Sequence, residues 1–112
     1  MTEHADTAQI FKALAHPARL RILETLEQGE ACVCHLEALL GFRQAYLSQQ
    51  LAVLRQAGLV GDRREGLNVF YCLMDERVPM LLRLMRGKEA AHVDHVSPAA
   101  VLPNCSCPRC RS

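Results

Sequence analysis

Tryptophan is absent from the 112 residues, and only three Phe and two Tyr supply aromatic rings. A mainly β sandwich, which leans on aromatic and β-branched strands, is therefore disfavoured. No run approaches the ~20 apolar residues that span a bilayer, and Glu3, His4 and Asp6 stand where a secretory leader would carry a basic flank and an apolar centre. A cytoplasmic protein is expected. Charge of one sign is also missing: the net charge is +1, which by itself points to neither a nucleic acid nor a membrane. No glycine-rich loop accompanies any cysteine, which argues against a thiol enzyme such as a metalloid reductase. Six cysteines fall short of the roughly 8–10% of a disulfide scaffold. In a reducing compartment they read as ligands or redox groups.

What is present is leucine and alanine at helical spacing. Ala5 to Ala15 reads as a first helix, with Ile10, Phe11 and Leu14 apolar. His16-Pro17 ends it, and Pro17 suits the first turn of a second helix to Gln28, where Leu20, Ile22, Leu23 and Leu26 supply the core. Gly29 is the natural stop. A third helix is expected over Ala31 to Leu40, closed by Gly41, and a fourth over Gln44 to Ala57 with Leu47, Leu51 and Leu54 on one face. Two short helices about a tight turn outline a helix-turn-helix. After Gly58 the period changes to two: Leu59 to Arg64 and Asn68 to Met74 read as a hairpin turning at Glu65-Gly66. A last helix, Asp75 to Ala91, has Val78, Leu81, Leu82 and Met85 on one side and Met80 and Leu84 on another. Apolar residues on two sides exceed what one small core covers, so a second subunit is expected there.

The fold class is thus mainly α (α+β), a winged helix-turn-helix with a two-stranded hairpin wing and a helical dimer interface. Residues 1–96 form the DNA-binding and dimerisation domain and 97–112 a cysteine-rich tail. Charge is unevenly spread: residues 1–42 carry three basic and six acidic groups, whereas 43–64 carry four and one, a modest excess that fits either a nucleic acid or a solvated face. On the outer face of the fourth helix Gln44, Tyr46, Ser48, Gln49 and Gln50 suit base edges and phosphates. Arg43 and Arg55 suit phosphates, and Arg63 and Arg64 on the wing suit phosphate or a neighbouring minor groove.

These residues resemble the ArsR/SmtB family of metal-responsive winged-helix repressors over about residues 8–90. The resemblance is carried by Leu14-Ala15-His16-Pro17-Ala18-Arg19-Leu20-Arg21-Ile22-Leu23, by Cys32-Val33-Cys34, and by Ser48-Gln49-Gln50-Leu51 through Leu54-Arg55-Gln56-Ala57-Gly58-Leu59-Val60. It implies a homodimer that binds an operator near its own promoter and releases it when a metal or metalloid binds. The chain departs from the family twice. Glu37 stands where arsenic-responsive members carry a third cysteine, and Gln50 stands where many recognition helices carry histidine.

Thiolates select soft or borderline ions: arsenite, antimonite, cadmium, lead, zinc or copper(I). Cys32 and Cys34 are the expected ligand pair. Residues two apart do not face each other on a regular helix, so they can share one ion only at a distorted helix start. Such distortion would displace the first half of the helix-turn-helix. Cys105, Cys107 and Cys110 combine Cys-x-Cys with Cys-x-x-Cys, and three readings stand: a separate site, a cap on Cys32 and Cys34, or idle thiols. Cys72 lies in a strand pattern and reads as core. His92, Asp94 and His95 form a competing candidate site, while His16 reads as structural and His35 as pointing away from Cys34. The expected function is a homodimeric repressor released by As(III) or Sb(III), with Cd, Pb or Zn as other inducers. The alternatives are a thiol-redox or persulfide-sensing repressor of the same fold, and a metal-storage protein, which would leave the winged helix unexplained.

Overall fold

The computed structural model describes residues 2–87. The helix expected to continue beyond residue 87, the candidate cluster His92, Asp94 and His95, and the tail cysteines Cys105, Cys107 and Cys110 lie outside them. Five helices and three strands follow in the order α1 (Thr2–Leu14), α2 (Pro17–Glu27), β1 (Ala31–Cys32), α3 (Val33–Leu40), α4 (Gln44–Gln56), β2 (Val60–Glu65), β3 (Asn68–Leu73) and α5 (Arg77–Arg86).

Local chemistry sets the joints. His16 is extended, and its Nδ1 accepts a hydrogen bond from the Ala18 amide at 3.2 Å, capping α2 with Pro17 in the first turn. This is the structural role expected of His16. Gly41, between α3 and α4, adopts φ +73°, the left-handed conformation that lets α3 close by its amide bonding the Glu37 carbonyl. The hairpin turns over Gly66 and Leu67, one residue later than expected, with Glu65 opposite Asn68 and Gly66 at φ +64°.

Apolar residues from all five helices meet in one core. Ile22, Leu23, Leu36, Leu47, Leu51, Leu54 and Leu59 are all essentially sealed from solvent. The α4 triad Leu47, Leu51 and Leu54 faces inward as its spacing predicts. Two apolar residues differ from expectation. Phe11 is 56% exposed, because Ala13 provides the buried contact of α1. Met85 turns outward with Leu84, leaving Val78 and Leu82 as the buried residues of α5.

The expected two-stranded wing is the β2–β3 hairpin, and the sheet adds a third strand to it. Its order is β1-β3-β2, all antiparallel, so Ala31 and Cys32 are not the first residues of α3 but a third strand, paired with Tyr71 and Phe70. The physical reason is burial. Both residues are almost wholly enclosed, and a helix start there would leave its first amides without partners, whereas the β3 edge satisfies them.

Candidate DNA interface and thiol pair

On α4 the inward residues leave Gln44, Ala45, Ser48, Gln49 and Ala52 as a continuous exposed stripe, with Arg43 exposed just before the helix. Tyr46 sits at the margin of this stripe, 38% exposed, its ring meeting Phe42 edge-on at 5.3 Å. Arg21 lies over the Phe42 ring, which ties the helix-turn-helix corner to α2.

Gln50 departs from the expected groove-facing set. It is 8% exposed, and its Oε1 accepts a 2.9 Å bond from Arg19 Nη1. Arg19 also donates to the carbonyls of Ala13 and Lys12, so one guanidinium joins the end of α1, the start of α2 and the middle of α4. Its position could have been foreseen: Gln50 is three residues after Leu47 and four before Leu54, on the helix face that packs inward.

Two of the arginines expected at phosphate are already engaged. Arg55 pairs with Asp62 at 2.8 Å, linking the end of α4 to β2. Arg63 forms an ion pair with Glu30, a second with Glu65 at 3.2 Å, and lies 4.8 Å over the Phe70 ring. The Glu30 hydrogen bond is the main cause of its pKa standing above the ordinary value. Arg64, at the next position, is exposed.

Cys32 and Cys34 are brought together. Their sulfurs lie 2.7 Å apart, although two helical residues at this spacing would diverge. The distortion expected at a helix start is here the strand-to-helix junction: Cys32 is extended at φ −83°, ψ 167° and caps α3, whereas Cys34 is already helical. Cys32 is 3% exposed and Cys34 half-buried. His35 is fully buried inside α3. Cys72 is only half-buried, with its sulfur 3.9 Å from that of Met74, so it is less enclosed than a core residue. Among the described residues no three or more His, Cys, Asp or Glu side chains gather as a metal centre. The sulfurs of Cys32 and Cys34 are the soft atoms that these residues bring together.

Fold and interface define a class: a winged helix-turn-helix DNA-binding regulator. The sequence profile of the arsR family of bacterial regulatory proteins matches residues 16–61. A biofilm growth-associated repressor of Agrobacterium fabrum is 49% identical over 80 residues, 71% of this chain and 68% of that protein. An arsenic resistance transcriptional regulator of Pseudomonas putida is 38% identical over 93 residues, 82% of this chain and 73% of that one. Among solved structures, a homodimeric winged helix-turn-helix DNA-binding domain from Mycobacterium bovis superposes with TM-score 0.72 at 34% identity, covering 84% of this chain and 87% of that chain. The chain belongs to the ArsR family and is a transcriptional repressor of that family.

Proposed function

We propose that the chain is a homodimeric repressor whose hold on its operator is released when arsenite or antimonite binds the Cys32 and Cys34 thiolates. The observation that carries this reading is the convergence of two sulfurs at the joint that leads into the helix-turn-helix. A trivalent metalloid takes soft thiolates, and the arsenic resistance regulator of P. putida offers the same direction by likeness. A tail cysteine, Cys105, Cys107 or Cys110, is the proposed third ligand, since the carboxylate of Glu37 is a hard donor. The DNA-facing set is Gln44, Ser48 and Gln49, flanked by Arg43, Tyr46 and Arg64. Arg55 joins it by exchanging its Asp62 partner for phosphate, while Arg63, kept by Glu30 and Glu65, sets the pose of the wing.

The residues supply a direct mechanical route. Cys32 caps α3, and Gly41, Phe42 and Arg43 alone separate α3 from α4. Drawing the two sulfurs around an ion turns the first residues of α3, and the short connection passes that movement to the stripe that reads DNA. Dimerisation is supported by Met80, Leu84 and Met85, between 60% and 82% exposed along α5, and by the homodimeric M. bovis domain.

A second reading, oxidation or persulfidation of the same thiols, draws on their 2.7 Å separation. Joining them would release two protons and two electrons to a peroxide or persulfide oxidant. One experiment addresses both. Sedimentation of the protein–operator complex is followed during titration with arsenite, cadmium, lead and zinc under reductant, with mass spectrometry of the protein. Two chains per operator and release by arsenite at unchanged thiol mass are expected, and Cys34→Ser should abolish release but keep operator binding. Release only with loss of two mass units or gain of sulfur would replace metalloid sensing by the redox reading.

A further inference from the structure

We propose that the wing is a second output of the thiol site, driven through β1 and held by the Glu30–Arg63 ion pair. This rests on Cys32 and Cys34 being the inducer site. Cys32 on β1 stands opposite Phe70 on β3, and Phe70 stands opposite Arg63 on β2. Residues directly opposite in antiparallel strands share a face, so these three side chains form one row across the sheet. Phe70, 2% exposed, is enclosed between the inducer thiol and the arginine whose guanidinium covers its ring. Glu30, two residues before Cys32 and so on the same side of the extended chain, reaches across to Arg63.

β1 is also the part of the sheet most easily moved. It consists of two residues with two register pairs, whereas β2 and β3 share six. Cys32 is 3% exposed, and along this route its sulfur reaches an ion as the strand gives way. A displaced β1 takes Glu30 with it and uncovers one side of Phe70. Arg63 then loses both Glu30, the carboxylate just before β1, and the support beneath it, and the wing shifts together with α3. The sensing joint thus addresses two DNA-facing elements by separate routes: the turn at Gly41 leads to α4, and the Cys32–Phe70–Arg63 row leads to the wing.

The absence of tryptophan makes this measurable. Leu67 at the wing tip is fully exposed, so Leu67→Trp adds a single reporter. The full chain carrying it, with and without Glu30→Ala, is titrated with arsenite while thiolate–arsenic absorbance, Trp emission and operator affinity are followed. The expected result is emission that changes in step with absorbance in free protein. Glu30→Ala should keep the absorbance change yet reduce the inducer-dependent drop in operator affinity by roughly two- to fivefold, the range an exposed ion pair can carry. Phe70→Leu, which preserves burial but removes the ring under Arg63, should reduce it similarly. Operator release with unmoved emission, or full response in Glu30→Ala, would overturn the wing route and leave the thiol site standing. Absence of any thiolate–arsenic signal would overturn the site and the route together.

Discussion

Recognition helix α4 and the β1–α3 junction are adjacent in sequence and opposite in construction. α4 runs thirteen residues, rests on Leu47, Leu51 and Leu54 at 0–1% exposure, and is pinned further by Arg19 at Gln50 and Asp62 at Arg55. The junction has a two-residue strand, an eight-residue helix and no side-chain hydrogen bond at its cap. A reader of DNA needs a fixed geometry, because contacts to base edges fail with small misplacements. The proposed sensor needs a segment whose rearrangement costs little. Placing the two a single tight turn apart lets a small local change misplace a rigid body.

The largest expected effect comes from making the rigid partner soft. Leu51→Ala removes a wholly buried side chain and should cost about 2–5 kcal/mol, read as a fall in thermal midpoint of roughly 4–8 °C per kcal/mol. Operator affinity should fall with it even at temperatures where the chain stays folded. The comparison is sharpened by changing only the outer face. Ser48→Ala with Gln49→Ala should weaken specific operator binding by ~1–3 kcal/mol per lost base contact, with circular dichroism and midpoint unchanged. Unchanged affinity in that double variant would take these side chains out of the interface.

The smallest effect is expected away from both regions. Asp75 accepts from the Arg77 amide at 2.9 Å and from its guanidinium, steadying the start of α5. The Arg77 side chain is the main reason its carboxyl titrates below its ordinary 3.8. A lowered folded pKa gives stability that is present above the ordinary value and is lost as pH falls through the lowered one. Asp75→Asn should therefore cost about 1 kcal/mol near neutrality, and denaturation curves of variant and parent should converge in acid. Inducer response in this variant should match the parent, which provides the baseline for variants at the junction.

Much of this architecture is legible in the sequence because leucine spacing and glycine stops are strong local signals. The helix-turn-helix, the α4 inward face and the hairpin follow from them directly. β1 is hidden for a physical reason: two residues carry no period, and Ala31-Cys32 is held extended by β3, some forty positions later in the chain. The engagement of Arg63 was hidden likewise, since Glu30 lies far from it in sequence. Gln50 was legible in principle, being on the apolar stripe, but polarity suggested the groove.

The unequal exposure of the two thiols has a consequence in time. Cys34 is within reach of solvent while Cys32 is sealed. At the proposed site, with both cysteines reduced, an arriving species would meet Cys34 first and remain there until β1 next opens. Agents that hold a single thiol loosely depart during that wait. Those able to keep one bond and form another are captured as a ring. Selectivity at the proposed site would then come partly from residence and not from affinity alone, and a brief exposure would pass without relieving repression.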